Sequence, residues 1–568
     1  MIKFWYKVEK EVRGKFMKKK SLIVSLIVSM SLLMVGCNNG KSTSVKNNSK
    51  DDNSISTSAN NENNVSKDSI TAYVGNNIFE SSLDPIKGAM SYGYSFTNNA
   101  LTRVNPNSEY EGDLAESWSI SEDSLTYTFN LKKGIKFQDG SDFTAEDVVF
   151  TYETVKSNQA DNESVDLTRL ENVEAVDDYT VKFTLSEPYS PFFDSIALLG
   201  IVPSDAYDSE VFDKSPIGTG PWKVIQYNTD QQIIVQAYED YYEGTPEIKQ
   251  VTFVKMDSKS AFSNAKSGQL DIVMVDPNYS TETINGMHLE NLETMDVRNI
   301  SLPCLPEQKM TDKEGNEIVV GNNVTSDIAV RKALSIGINR EQIIENALNG
   351  VGKKATGFTT NLVWGNPLVY DDNQKDEAEK ILEKAGWIDS NGDGIREKDG
   401  VVCEFDVYAP SNDQQRYLLG SAVAEDAKEL GIKINVKQGT WDELTVKAKT
   451  CGIVWGWGQY SPTVLKSLLY SDLFLTGDYD NTIGYSNKEV DKLIDEAIDS
   501  NNQEEAVEKW KEVQTVSSED YPYLYIVNIE HSYFINDSLD ISINTQIPHP
   551  HGHGAPIICN MKDWKSNE

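Results

Sequence analysis

Three of the five histidines in this 568-residue chain fall within five positions, His549, His551 and His553 in the stretch QIPHPHGHGAP. On an extended backbone, residues two apart share a side and stand roughly 7 Å from each other, and neutral imidazole is a good ligand for Ni(II), Cu(II) or Zn(II). A chelate across His549, His551 and His553 is therefore geometrically allowed. Pro548, Pro550, Gly552 and Gly554 favour a bent path instead, so three readings stand open: a metal or metal-chelate contact, a structural or hinge-lining loop, and a ligand contact without metal. A second run, DSNGDGIREKDG from Asp389, opens as a calcium loop does, with Asp389, Asn391, Asp393 and Gly394 in place. Its twelfth position, which needs a bidentate glutamate, is Gly400, so a polar surface loop is expected and calcium is not. Cys304, Cys403, Cys451 and Cys559 show no CxxC spacing, and their pairing stays open. No motif requires a cofactor; Ni(II) or another divalent ion is the candidate at the histidine run.

The chain is long enough for several domains and carries 52 basic against 88 acidic residues, a net charge of −36. Such a field repels a phosphate backbone, so nucleic acid is not an expected partner. Lys18 to Lys20 precede SLIVSLIVSMSLLMVG, an uncharged apolar run that ends at Cys37. A basic start and a short apolar stretch form a secretory signal, too short for a comfortable membrane span. The sequence MVGC resembles a bacterial lipobox, which makes Cys37 the lipidated first residue of the mature chain. MKKKSLIVS is the usual opening of such signals, so Met17 is the expected true start. Removing residues 1–36 deletes eight basic and two acidic residues and takes the net charge to −42. Residues 37–68 are almost all Asn, Ser, Lys, Asp and Thr, which cannot bury enough apolar surface to order themselves; they form a flexible tether.

The rest must supply the scaffold. Thr144 with Asp147 has capping-box spacing ahead of Val148, Tyr152 and Val155. Asn339 with Gln342, closed by Gly350, brackets a second helix. Ala378, Ile381, Leu382 and Ala385 stripe a third, and Ser486 with Glu489 opens a fourth whose face is Val490, Leu493, Ile494 and Ala497. Alternating strands are expected at 125–131, 179–185 and 433–436. Helices interleaved with strands give a mixed α/β class.

The segment GDLAESWSISEDSLTYTFNLKKGIKFQDGSDFTAEDVVFTYE, from Gly112, resembles the signature of the family 5 extracellular solute-binding proteins, the peptide, dipeptide and nickel receptors of ABC importers. SPIGTGPWKVIQY from Ser215, EDYYEGTPEIKQVTFVKMDSKSAFSNAKSGQLDI from Glu239 and SDIAVRKALSIGINREQIIENAL from Ser326 follow in the family's order. The resemblance implies an α/β, two-lobe periplasmic-binding-protein-like fold (type II) with an extra subdomain in the first lobe and hinge closure over ligand. Lobe I would comprise residues 69–107, 215–299 and 521–568, the inserted subdomain 108–214 and lobe II 300–520. It further implies a monomeric, non-enzymatic, extracytoplasmic receptor for a peptide or metal chelate. Its partners would be ABC permease and ATPase subunits, with the lipid on Cys37 holding it to the outer face of the cytoplasmic membrane.

Peptide-binding members carry an Asp that pairs with the ligand α-ammonium, in a stretch like W-x-A-D-Y-x-x-P. Here that stretch is WGWGQYSP, and counting back from Pro462 puts Gly458 where the Asp would stand. Trp455, Trp457 and Tyr460 remain as walls for a flat or apolar ligand, or as core. By the family's layout the histidine run returns to lobe I near the cleft, where His531 could join His551 and His553.

Overall fold

A computed structural model describes residues 67–567, apart from 80–81, 89–94, 160–161, 163, 360–361, 367–371, 478 and 546–553. Cys37, the tether as far as residue 66 and His549, His551 and His553 lie outside the described residues, while the last two tether residues are bonded to the fold, Lys67 to Ser566 and Asp68 to the amides of Lys249 and Gln250.

The strand β1 (Ser69–Tyr73) belongs to the sheet of the first lobe, and the chain then departs to build a separate one. This inserted sheet is antiparallel, from β2 (Ala115–Ile120), β3 (Thr126–Leu131), β4 (Leu170–Asp177) and β5 (Thr180–Leu185) in the order β2-β3-β5-β4. It carries the helices α1 (Ala145–Ser157) and α2 (Phe192–Leu198). Thr144 and Asp147 form the expected capping box of α1, and Val148, Tyr152 and Val155 are buried. The chain returns through β6 (Trp222–Asn228), β7 (Gln232–Ala237), β8 (Gln250–Val254), α3 (Ser258–Lys266) and β9 (Ile272–Val275).

Two long strands then join the lobes. β10 (Met287–Ser301) and, far along the chain, β15 (Tyr523–Asn536) pair antiparallel with each other. The first half of β10 and the second half of β15 lie in the first lobe, where β15 pairs β9. From Val297 onward β10 pairs strand β14 (Gly452–Trp457) of the second lobe. β15, YLYIVNIEHSYFIN, opens on an apolar run and is buried on both faces along most of its length, as a central strand requires.

The second lobe begins with α4 (Ile328–Gly337), α5 (Arg340–Leu348), the short β11 (Lys353–Lys354), α6 (Lys375–Lys384) and β12 (Glu404–Pro410). It continues with α7 (Gln414–Ala427), β13 (Lys433–Gly439), α8 (Trp441–Lys447) and β14, and ends in α9 (Val464–Leu469), α10 (Lys488–Ile498) and α11 (Gln503–Ser518). The complete large sheet runs β13-β12-β14-β10-β15-β9-β1-β8-β7-β6, with β11 alongside β15. Asn339 caps α5 as expected, its side chain accepting from the Gln342 amide at 3.1 Å. The cap of α10 is Asn487 rather than Ser486, because the Asn carboxamide accepts from the amides of Glu489 and Val490 while the Ser486 hydroxyl bonds Ser471.

One apolar core serves the second lobe and another the first. A third is shared between the inserted sheet and α9 to α11. That shared face is stitched by polar groups: the Ser190 hydroxyl donates to the Ala497 carbonyl at 2.7 Å, Gln503 donates to the Ser190 carbonyl at 2.7 Å, and Arg169 pairs with Asp499 at 2.7 Å.

Candidate functional site

β12, β13 and β14 run parallel, so their carboxyl ends open on one side, the place where open α/β sheets receive ligands. Three turns meet there. After β12, Asp413 caps α7 by accepting from the Arg416 amide at 3.0 Å. After β13, Thr440 and Glu443 form a capping box and deliver Trp441 as the first residue of α8. β14 ends at Trp457.

The aromatic part is continuous. Trp441 stacks on Trp455 with centroids 5.6 Å apart and planes at 19°, Trp455 lies 5.7 Å from Trp457, and Tyr479 meets Trp455 edge-on at 5.9 Å. The Arg416 guanidinium sits over the Trp441 ring at 5.3 Å, a cation–π contact.

The charged part comes from an irregularity in β10. Between the pairs Glu293↔Glu530 and Val297↔Asn528, three residues of β10 face one of β15. This bulge is pinned by the Thr294 hydroxyl, which donates to the Ile529 carbonyl at 2.8 Å and accepts from the Asp296 amide at 3.0 Å. Bulges of this kind re-aim side chains; here they bring Asp296 and Arg298 against β14. Asp296 is fully buried and Arg298 is 9% exposed, and they pair through Nη2 and Oδ2 at 2.8 Å. Arg416 is 6% exposed and pairs with Asp413 at 3.0 Å. Burial first, and then the neighbouring charge of Arg298, bring the Arg416 guanidinium down to about 10 against the pull of Asp413 and Asp296.

Two glycines make room for this. A Cβ on Gly456 would stand 1.7 Å from Arg298 Nη1 and 2.7 Å from Asp296 Oδ1, and one on Gly458 would stand 2.4 Å from the Met295 carbonyl oxygen. No side chain fits at 458 unless the bulge moves. Tyr460 is buried; its carbonyl accepts from the Trp364 indole at 2.8 Å. Burial is the main cause pushing its phenol up to about 12, with the Asp194 charge adding to it and a hydrogen bond with Ser108 opposing.

Asp194 reaches this region from α2 of the inserted sheet. It is 8% exposed and accepts from the Tyr110 hydroxyl through Oδ1, while Oδ2 is buried without a hydrogen bond among the described residues. Burial raises its carboxyl to about 6, opposed by Tyr110 and Ser461.

His531 is half-buried on β15 opposite Leu292. Leu292 belongs to the first-lobe core that also contains Ala555, Ile557 and Ile558, just beyond the histidine run. At the bulge, Lys353 of β11 bridges Glu293 and Glu530. Asp389, Asp393 and Glu397 gather in the polar loop within 4.8 Å of one another. Asp389 accepts from the amides of Gly392 and Gly394 and Asp393 from that of Ile395, bonds internal to the turn. Cys304, Cys403 and Cys451 form no disulfide among the described residues, and burial pushes the thiols of Cys304 and Cys403 up to about 11 and about 12. A cavity of about 100 Å³ lies apart in the first lobe, lined by Asn99, Arg103, Asp113, Trp222 and Cys559 among others.

The structure brings Trp455, Trp457 and Tyr460, singled out in the sequence, together with Asp296, Arg298, Asp413, Arg416, Trp441 and Asp194, which were not; Trp455 and Tyr460 are buried in apolar clusters. One signal was available: MDVRN places opposite charges two positions apart, on one side of a strand, where burial demands that they be partnered.

The family model for "Bacterial extracellular solute-binding proteins, family 5 Middle" matches residues 109–479. The chain is 29% identical over 480 residues to Protein XP55 of Streptomyces lividans, covering 82% of this chain and 84% of the other. It is 29% identical over 458 residues to the oligopeptide-binding protein AppA of Bacillus subtilis, covering 76% and 80%. The solved structure of NikZ from Campylobacter jejuni, in complex with Ni(L-His), superposes with a TM-score of 0.72 at 23% identity over 88% of this chain and 99% of that one.

Proposed function

Because the chain belongs to the family 5 bacterial extracellular solute-binding proteins, whose members are substrate-binding components of transport, we propose that it captures peptides outside the cell and delivers them to the permease of an ABC importer. The observation that carries this reading is the sheet end at β12, β13 and β14, where the half-buried Trp441 and Trp457 flank the buried Trp455 beside the two strands that join the lobes. Flat aromatic walls accept many side chains with little directional demand, and hinge closure encloses what they hold. A lipid on Cys37 followed by residues 37–68 would keep the receptor near its permease, raising the effective concentration for handover.

A second reading, a receptor for nickel or another metal chelate, is favoured by His549, His551 and His553 and by the absence of an acid at Gly458. Native mass spectrometry of residues 37–568, challenged separately with a peptide mixture and with Ni(II) plus free histidine, tests both. Retention of a few hundred daltons that fragments into amino acids supports the peptide reading. Stoichiometric metal, lost on replacing His549, His551 and His553, with no peptide retained, overturns it in favour of the second.

A further inference from the structure

The same sheet end holds an excess of buried donors. Arg298 Nε and Nη1, Trp455 Nε1 and Trp457 Nε1 are buried without an acceptor among the described residues, four donors against the one nearby carboxylate oxygen, Asp296 Oδ1, that is likewise without a hydrogen bond. Asp296 Oδ2 pairs with Nη2 of Arg298, the one guanidinium nitrogen not in that group. Arg298 is itself nine-tenths buried, and leaving N–H groups of a buried guanidinium unanswered is costly. β14 has moreover given up a side chain at Gly456 to let that guanidinium lie against it. Arg416, bonded to Asp413 and to the Val454 carbonyl, adds a second buried cation at the same strand ends. The 14-residue helix α7 starts there too, its amino end carrying partial positive charge. Asp296 and Asp413 already balance the two guanidiniums, and Asp413 caps the helix; what stays unanswered is the set of N–H groups on Arg298, Trp455 and Trp457, which asks for an oxygen acceptor.

We propose that the second-lobe crevice anchors the anionic end of its cargo, a carboxylate received by Arg298 beside the Trp455 and Trp457 indoles. This deepens the receptor reading and rests on it: the crevice that encloses the cargo is selective for a carboxylate. The polarity is the reverse of an acid at position 458 holding an ammonium. Gly458 cannot host that acid because the bulge that presents Arg298 occupies its space. The carboxylate comes either from a peptide C-terminus or from an acidic side chain.

Residues 37–568 are titrated calorimetrically with three peptides: Ala-Glu-Ala with a free C-terminus, its C-terminal amide, and the amide of Ala-Gln-Ala. Ni(II)–histidine and Ni(II)–histidinamide form a fourth and fifth probe. Loss of a charge-assisted hydrogen-bonded anchor weakens binding by about tenfold or more. A drop of that size between the free acid and its amide identifies a terminal carboxylate as the anchor's partner, and one between the Glu and Gln amides a side-chain carboxylate. Arg298→Gln abolishes whichever difference is present. The wild-type comparison alone decides the matter if that variant does not fold. Equal binding of all three peptides overturns the anchor while leaving the peptide reading intact. Nickel–histidine favoured over nickel–histidinamide, with no peptide bound, keeps the anchor and overturns the peptide reading. Failure of every carboxylate probe to bind overturns the anchor.

Discussion

Replacing Asp194 by Asn should stabilise the protein at neutral pH and leave it unchanged in acid. The carboxyl lies between α2 and the turn after β14, with a hydroxyl partner in Tyr110. Burial lifts it from the ordinary 3.8 to about 6, so the folded state holds a proton that the unfolded chain has already released. Whatever this group contributes to stability is therefore fully present below pH 3.8 and is lost as pH rises to about 6. At about 1.4 kcal/mol for each tenfold change, that gap makes the ionised carboxylate a burden of about 3 kcal/mol above pH 7. The carboxamide keeps the shape and an acceptor for Tyr110 but cannot ionise. Urea unfolding of wild type and Asp194→Asn at pH 4 and pH 7.5 should show near coincidence at the first and a gain of about 2–3 kcal/mol for the variant at the second. A variant equally destabilised at both pH values would refute the reasoning, since it would mean that the carboxylate is held by a cation or by more donors than those named.

Three further outcomes follow from the same structure. Gly456→Ala should break the Asp296–Arg298 pair by collision with Nη1 and cost about 1–3 kcal/mol as overpacking, seen as a lowered urea midpoint and as loss of the carboxylate preference. Trp441→Ala removes one wall and the ring under Arg416; peptide affinity should fall by about tenfold while thermal unfolding shifts little, because Trp441 is half-exposed. Arg340→Ala removes a fully buried guanidinium that donates to the Ala355 and Tyr525 carbonyls and pairs with Asp372 at 2.8 Å. It should cost about 3–5 kcal/mol in chemical denaturation and hold α5 less firmly to β15.

Much of the scaffold was legible because it is local. The α1 capping box, the Asn339 cap and the alternation of 125–131 and 179–185 depend on neighbours a few residues apart. The cap of α10 was misplaced by one residue because Ser486 and Asn487 are both good caps, and only the distant Ser471 decides between them. The aromatic half of the crevice was visible as Trp455, Trp457 and Tyr460, since WGWGQY sits in one strand and its exit. The charged half was not. Arg298 and Arg416 are 118 positions apart, and what unites them is the pairing of β10 with β14 and the start of α7 at the same sheet end. Gly458 was noticed for the side chain it lacks, whereas its significance is spatial: the Met295 carbonyl occupies that volume.

The bulge at Thr294 to Asp296 makes pivot and sensor consecutive parts of one strand. Any pull on the Arg298 guanidinium is applied to backbone two residues from Asp296, within the segment that passes from one lobe to the other. Because side chains alternate along a strand, deleting a single residue of the bulge would turn Arg298 to the opposite face and, leaving two residues against one, change the crossing at once. Ligand preference and the angle between lobes are thereby tied to one count of residues, so neither can drift in evolution or be redesigned without altering the other.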